Sequence, residues 1–143
     1  VLMHMPGKPA DMQAFTDSYG DNVVTAIFDF LAERLITLRE AEVNDILIDP
    51  GWGFGKSVAQ NYEILRNLSA FRQLGVPIFV GISRKSSIWK PLNISAAESL
   101  SATSALHLFA LQQGASVLRV HDVTEAVQVL NLHELLAYST DDG

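Results

Sequence analysis

Cysteine is absent from the 143-residue sequence, so the chain forms no disulfide and offers no thiolate to a metal ion. Long apolar runs are absent too. None approaches the ~20 residues that a helix needs to cross a bilayer, so no membrane partner is expected. Positive charge is scarce, because ten Lys and Arg residues face sixteen Asp and Glu residues, for a net charge of −6. No nucleic-acid partner is expected either, since phosphate binding needs a basic surface. The lack of cysteine is typical of a protein of the reducing cytoplasm.

The composition is that of an ordinary globular protein. Apolar residues make up 48% of the sequence and charged residues 18%, proportions that a disordered chain does not have. A chain of this length can form one domain with a sizeable core. No linker-like stretch divides it, so we expect one domain over residues 1–143. Residues 1–5 already resemble a strand without an initiator Met, which favours a piece of a longer protein.

Short apolar segments alternate four times with longer amphipathic segments. The predicted strands cover residues 1–5, 45–48, 77–82 and 116–120, and the predicted helices cover residues 21–42, 57–74, 95–113 and 122 onward. This alternation predicts an α/β fold with a parallel sheet and right-handed crossovers. A (β/α)₈ barrel typically needs about 250 residues. Four βα units therefore correspond to half of such a barrel or to a small doubly wound sheet.

Residues at the predicted helix ends support these limits. Ser57 with Gln60, and Ser95 with Glu98, have the spacing of a capping box, which predicts a helix N-terminus at each serine. Gly75 is a typical residue for the C-terminal end of a helix. The second helix is therefore expected to run without a break from Ser57 to the residue before Gly75.

Glycine-rich and polar motifs follow three of the predicted strands. DPGWGFGK (49–56) follows the second strand, GISRKS (81–86) the third and RVHD (119–122) the fourth. Because the carboxyl ends of parallel strands meet at one edge of a sheet, we expect these motifs to share a pocket. Asp49 can accept paired hydrogen bonds from a ligand with an amino group beside a ring N–H. A turn or helix-cap aspartate is the alternative at this position.

The second and third motifs supply cations. Lys85, beside Arg84, can hold an anion or donate to ring acceptors, and Ser86 can bind a carboxylate. Arg119 can stack on an aromatic ring and bind phosphate with its guanidinium, the alternative being a buried ion pair. His121 is interpreted as a donor to an anion.

Simpler roles are expected for the remaining polar and aromatic candidates. Lys56 and Arg84 are expected to be solvated, and Asp122 to cap the last helix. Packing is the first interpretation of Trp52 and Phe54, with ligand contact as the alternative. Three histidines complete the set: His4 is expected to be structural, and His107 and His133 to lie at a surface or interface. No His and carboxylate spacing is typical of a metal site, so no metal ligand is assigned.

Taken together, VLMHMPGKPADMQ, DPGWGFGK, GISRKS and RVHDV, in this order and spacing, resemble dihydropteroate synthase from residue 1 to about residue 136. The resemblance implies a (β/α)₈ barrel enzyme of folate biosynthesis. That enzyme condenses 7,8-dihydropterin-6-ylmethyl diphosphate with p-aminobenzoate and releases pyrophosphate. The chain would be the C-terminal half of such a pterin-binding barrel, with the N-terminal half absent. Two residues depart from the family pattern, since Trp52 and Pro6 stand where Phe and Gln are expected.

The resemblance also implies roles for individual residues. Asp49 would bind the amino and ring N–H edge of the pterin, and Lys85 its ring acceptors. Arg119 would stack on the pterin and, with His121, hold the phosphate end. Lys85, Arg119 and His121 are thus the predicted catalytic residues. The other predicted substrate contacts are Met3, Phe54 and Gly81 in the pocket wall, with Ser86 and Lys85 near p-aminobenzoate.

A cofactor and an assembly state follow from the same resemblance. Mg²⁺ would assist release of the diphosphate, with its ligands expected in the absent N-terminal half. The late helices would form a homodimer. Two other interpretations stay open: a pterin-binding methyltransferase domain, and a non-catalytic module that binds a pterin or an anion. The SRKS and RVHD strings favour the synthase.

Overall fold

The computed structural model describes residues 1–8, 10, 12–19 and 22–138, and only the backbone of residues 12–15. Within these ranges lie four strands: β1 (Leu2–Met3), β2 (Ile48–Asp49), β3 (Ile78–Val80) and β4 (Ala115–Leu118). Five α-helices accompany them: α1 (Val23–Glu40), α2 (Val58–Arg66), α3 (Ser86–Leu92), α4 (Leu100–Gln112) and α5 (Val123–Tyr138). Shorter 3₁₀ segments cover Met12–Tyr19, Leu68–Leu74 and Ala97–Ser99. No helix in the part of the chain so described is long and apolar enough to span a membrane.

The strands form one parallel sheet in the order β1-β2-β3-β4. Met3 of β1 is in register with Asp49 of β2, and Phe79 of β3 with Val117 of β4. The predicted parallel α/β arrangement is thereby confirmed. Strand order that follows the chain is the order of a singly wound barrel, whereas a doubly wound sheet reverses direction at a switch point. The small doubly wound sheet is therefore excluded.

One face of the sheet packs against helices. Ile48, Ile78 and Val80 are almost fully buried, in one core cluster with Ile27 of α1 and Ile64 of α2. Because successive residues of a strand point to opposite faces, the residues between them point away from these helices.

The other face of the sheet is open. Phe79 lies between the buried Ile78 and Val80 and is only half-buried, and Val117 beside it is 37% exposed. A sheet covered by helices on one side, with its second side turned toward a cavity, has the layering of a barrel wall.

The helix caps are as the sequence predicts. Ser57 accepts from the backbone N–H of Gln60 while the Gln60 side chain accepts from the N–H of Ser57, which completes a capping box. Ser95 and Glu98 form the same reciprocal pair. Gly75 ends the 3₁₀ segment Leu68–Leu74 in a left-handed conformation with φ +70°. The predicted start of α1 at residue 21 lies outside the described residues, and Asn22 caps that helix by accepting from Thr25.

Two helix predictions are wrong in detail. The segment predicted as one helix over residues 57–74 breaks at Asn67, whose side chain donates to the Glu63 carbonyl, and continues as a 3₁₀ segment. No helix was predicted over residues 86–92, where α3 forms with Pro91 inside it. The predicted helix from Ser95 begins as a 3₁₀ turn and becomes α-helical only at Leu100.

Candidate active site

A cavity of about 400 Å³ opens at the carboxyl ends of the strands, on the face away from the helices. It is lined by Met3, Asp49, Phe54, Phe79, Gly81, Ser83, Lys85 and Arg119. Six of the predicted site residues are therefore brought together in one place, from segments far apart in the sequence. Phe79 and Ser83 were missed by the sequence analysis, although Phe79 follows from strand alternation once the register is known.

Asp49 ends β2 and is only 7% exposed. Its Oδ1 accepts from the backbone N–H of Gly51 at 2.8 Å, so the carboxylate begins a turn as well as facing the cavity. Burial raises the pKa of Asp49, while the Gly51 hydrogen bond and the charges of Lys85 and Lys56 oppose the rise. A buried acceptor beside two cations can pair with neighbouring N–H donors of a planar ligand.

The glycines that follow Asp49 adopt a backbone that other residues resist. Gly51 has φ +78° and Gly53 φ +81°. A Cβ on Gly51 would lie 1.8 Å from the carbonyl oxygen of His4, so the loop passes directly against the end of β1. Gly53 donates to Oδ1 of Asn61 at 2.8 Å. Asn61 is fully buried in α2 and was not singled out from the sequence.

Lys56 was expected to be solvated, and this is wrong. It is 5% exposed, and its ammonium donates to the carbonyls of Gly51 and Phe54, each at 2.8 Å, and of His4 at 3.4 Å. Burial lowers the pKa of Lys56 to about 7, although the Asp49 carboxylate acts against that change. Because its glycines are left-handed, the loop points its carbonyls inward. The buried Lys56 ammonium forms hydrogen bonds with these carbonyls.

Lys85 reaches the cavity from the other side of the same loop. Its Nζ donates to the carbonyl of Trp52 and lies 4.4 Å from the centre of the Phe54 ring. Burial lowers the pKa of Lys85 to about 8, with Asp49 opposing the shift and Arg119 adding to it. A half-buried cation above an aromatic ring is well placed to donate to a ligand acceptor. Trp52 itself is buried, as the packing interpretation predicts.

Arg119 and His121 form a pair at the rim of the cavity. The Arg119 guanidinium lies 2.9 Å from Nε2 of His121, and Nδ1 of His121 lies 2.9 Å from Oγ of Ser83. Because a guanidinium can only donate, Nε2 must accept, and the proton of a neutral His121 lies on Nδ1. Arg119 is exposed, so the alternative of a buried ion pair is wrong. Ser83 is buried beneath the pair and orients it.

Arg84 and Asp122 behave differently from the sequence expectation. Two nitrogens of Arg84 donate to the two carboxylate oxygens of Asp122, each at 2.8 Å, and a third donates to the carbonyls of Ala96 and Ala97. Arg84 therefore connects Asp122 to the backbone at Ala96 and Ala97, and the expectation that it is solvated is wrong. Asp122 does occupy the expected N-cap position, since it precedes α5 and its backbone carbonyl accepts from the N–H of Ala126, but its carboxylate binds the Arg84 guanidinium.

Three remaining predictions concern residues outside the cavity. His107 was expected at a surface or interface but is 3% exposed within α4, so that expectation is wrong. His4 is buried against Phe30 and Tyr19, in keeping with a structural role. Ser86 is exposed at the start of α3 and does not line the cavity. Its contact with p-aminobenzoate stays a prediction.

The residues described here do not fit a magnesium ion. Among residues 1–8, 10, 12–19 and 22–138 no group of three or more His, Cys, Asp or Glu side chains could hold a metal. The carboxylate that faces the cavity, Asp49, lies close to the cations of Lys85 and Lys56. Mg²⁺ prefers several oxygen ligands, and neighbouring ammonium groups oppose its charge.

Comparison with known proteins finds relatives that match nearly the whole chain. Residues 1–121 match the family described as pterin binding enzyme. Dihydropteroate synthase of Escherichia coli K12 is 38% identical over 135 residues, which cover 93% of this chain and 47% of that protein. The chain spans about half the length of the curated relatives it matches.

Two solved structures show the likeness in three dimensions. The Yersinia pestis dihydropteroate synthase with a sulfonamide drug complex superposes with a TM-score of 0.89 at 36% identity, covering 95% of this chain and 50% of that one. The Thermus thermophilus enzyme in complex with 4-aminobenzoate gives a TM-score of 0.88 at 36% identity, covering 94% of this chain and 55% of that one. The four parallel βα units are half of a (β/α)₈ barrel, and the chain belongs to the pterin-binding enzyme family.

Proposed function

We propose that the chain forms the pterin- and p-aminobenzoate-binding half of a dihydropteroate synthase, a transferase of folate biosynthesis. The observation that carries this proposal is the meeting of Asp49, Lys85 and Arg119 around one cavity at the strand ends. A carboxylate, an ammonium and a guanidinium at three sides of a cavity match a flat, hydrogen-bonding ring that carries an anionic tail. The Escherichia coli relative and the Yersinia and Thermus structures are named dihydropteroate synthase.

Each charged residue has a distinct role in the proposed site. Asp49 binds the amino and N–H edge of the pterin, and Lys85 donates to its ring acceptors. Arg119 stacks on the ring and, with His121 beside it, holds the diphosphate end of the substrate. Met3, Phe54 and Gly81 form the walls, and Ser86 lies beside the carboxylate of p-aminobenzoate. The complex of the Thermus enzyme with 4-aminobenzoate supports this second substrate. The sulfonamide complex of the Yersinia enzyme extends the proposal to sulfonamides as inhibitors.

The reaction follows from these charges. The C–O bond between the pterin methylene and the diphosphate breaks, and pyrophosphate leaves with the bonding electrons. The amine lone pair of p-aminobenzoate forms the new C–N bond, and the amine proton passes to solvent. Fixed cations such as Arg119 stabilise the negative charge that develops on the leaving group. The aromatic amine is already unprotonated at neutral pH, so it needs orientation more than activation.

Further parts of the proposal concern the cofactor, assembly and location of the protein. Mg²⁺ would supply positive charge to the diphosphate, and it would be held by residues outside those described here. A homodimer forms through α5, where Val123, Val127 and Leu130 are exposed at a spacing that places them along one side of the helix. The enzyme works in the cytoplasm. Sedimentation of the chain and of Val127→Glu tests the dimer, since a charge in the interface should give monomers.

A titration with 7,8-dihydropterin-6-ylmethyl diphosphate tests the site. Asp49→Asn keeps the size of the side chain but turns a carboxylate oxygen into an N–H donor. It should weaken binding by roughly 10- to 100-fold, the loss expected for charged hydrogen bonds. Asp29→Asn, at an exposed position of α1, is the matched control and should bind as the unaltered chain does. Equal binding by both variants would contradict the proposed role of Asp49, and a folded chain that binds no pterin would contradict the proposed site.

A further inference from the structure

Lys56 is a buried cation that the proposed reaction does not use. Its ammonium contacts three carbonyl oxygens, two of them in the glycine loop of residues 51–55 and the third at the end of β1. These acceptors, on Gly51, Phe54 and His4, match the three N–H donors of a charged lysine. Lys56 therefore ties the loop to a neighbouring strand of the sheet.

The same loop holds the cation that faces the ligand. Lys85 donates to the carbonyl of Trp52, and its ammonium lies above the ring of Phe54. Both groups belong to the segment that Lys56 fastens, and Phe54 contributes its carbonyl to Lys56 and its ring to Lys85. One peptide segment thus lies between two lysines, one buried and structural, the other open to the cavity.

We infer that Lys56 is a positioning residue of this site, which sets the place of the Lys85 ammonium through the Trp52 carbonyl and the Phe54 ring. Lys56 is not among the residues that line the cavity. Its effect on ligand binding rests on the proposed function, whereas its effect on the loop and on Lys85 does not.

Replacing the ammonium should free the loop without unfolding the domain. Lys56→Met keeps an unbranched apolar side chain at this buried position but leaves the carbonyls of Gly51 and Phe54 without their hydrogen-bond donor. Local opening of the loop should then become easier, so the amides of residues 51–55 should exchange with solvent at least about tenfold faster. Amides in the middle of α1 should keep their rates. Lys90→Met, at an exposed position of α3, is the matched control and should change neither set.

The pKa of Lys85 gives a second measurement, independent of any ligand. Burial beneath the loop lowers the pKa of Lys85 to about 8. Loss of the Lys56 ammonium should move the pKa of Lys85 upward, toward that of an ordinary lysine, because a neighbouring positive charge is removed and water reaches the Lys85 ammonium. NMR of ¹³C-labelled lysine side chains follows this titration. Faster exchange throughout α1, or an unchanged Lys85 titration despite a freed loop, would overturn the positioning role.

The absence of cysteine allows a specific rescue. Lys56→Cys introduces the single thiol of the chain, and alkylation with bromoethylamine, done unfolded and followed by refolding, restores an ammonium at nearly the original length. Alkylation with 1-iodopropane gives a neutral adduct of the same length without an N–H donor, as the control. Aminoethylation should restore the slow exchange and the low Lys85 pKa, and the neutral adduct should not. Equal restoration by both adducts would show that bulk rather than charge matters, which overturns the assignment.

Binding of the dihydropterin diphosphate separates this inference from the proposed function. If the unaltered chain binds the compound, Lys56→Met should bind it at least about fivefold more weakly. Equal binding despite a displaced Lys85 would overturn the role of Lys56 in the site. If the unaltered chain binds nothing, the proposed function fails, while amide exchange and the Lys85 titration still decide whether Lys56 positions Lys85.

Discussion

Ser83 Oγ lies 2.9 Å from Nδ1 of His121 and 3.2 Å from the backbone N–H of the same residue. A single buried hydroxyl on the loop after β3 thereby fixes both the ring and the main chain of the residue that supports Arg119. Since the guanidinium requires Nε2 as its acceptor, the neutral ring carries its proton on Nδ1, and the serine oxygen stabilises this form by accepting from Nδ1.

Ser83→Ala should release the ring of His121. The fraction of neutral His121 with its proton on Nδ1, read from ¹⁵N chemical shifts, should fall, because the hydrogen bond that favours this form is lost. Binding of inorganic pyrophosphate should weaken about three- to tenfold, the cost of one hydrogen bond. Ser101→Ala is the matched control, since that residue is exposed on α4 and has no place in the proposed site. An unaltered ¹⁵N spectrum in Ser83→Ala would contradict this orienting role.

Gly51→Ala should destabilise the chain more than Gly75→Ala, although both glycines are left-handed. A Cβ at residue 75 meets nothing within 4 Å, so only backbone strain of about 1 kcal/mol is expected there. A Cβ at residue 51 collides with the His4 carbonyl, and the loss in unfolding free energy should exceed about 3 kcal/mol. Urea unfolding of the two variants measures the difference, and equal losses would mean that the loop can move away from β1.

Arg84 and Asp122 should be coupled in stability. Arg84→Met and Asp122→Asn should each lower the urea midpoint, and the double variant should lose less than the sum of the two, because one ion pair is removed in all three. Arg84 lowers the pKa of Asp122, so this contribution is present at neutral pH and is lost as the pH falls through the pKa of the folded carboxyl. Fully additive losses would show that the pair contributes nothing beyond packing.

His4 should make the stability depend on pH in a defined window. Burial, with the charge of Lys56, lowers the pKa of His4 from 6.5 to about 4. Between these values the unfolded chain binds more protons than the folded chain, so the free energy of unfolding should decrease as the pH falls from 6.5 to 4. Above 6.5 the contribution of His4 is constant. His4→Gln should flatten this part of the unfolding profile, and an unchanged pH dependence in this variant would contradict the role of His4.

Much of the site could be predicted because strand ends are visible in the sequence. Asp49 directly follows apolar residues, and Lys85 and Arg119 follow at the next two strand ends, so parallel pairing alone brings them together. The burial of Lys56 could not be predicted in this way. A lysine in a glycine-rich loop normally reaches solvent, and only the inward turn of the loop carbonyls makes a buried ammonium favourable.

The remaining wrong or missing predictions also concern residues whose surroundings are set by distant parts of the chain. His107 lies on a helix of apolar and small residues, a pattern that does not reveal which side is covered. Pro91 argues against a helix over residues 86–92, because it has no N–H to donate to the Ser87 carbonyl, yet α3 contains it. Ser83 has no sequence signal of its own, because its importance depends on the distant His121.

Ser83, Arg84 and Lys85 are consecutive, and the left-handed backbone of Arg84, with φ +53°, sends their side chains to three different partners. The Ser83 hydroxyl contacts the His121 ring, the Arg84 guanidinium pairs with Asp122, and the Lys85 ammonium donates to the glycine loop. A substitution of any of these three residues that changes ligand preference would also remove a contact with another segment of the chain. Variation that alters specificity while keeping the fold should therefore accumulate at Met3 and Phe79, whose apolar side chains shape the same cavity without holding any loop in place.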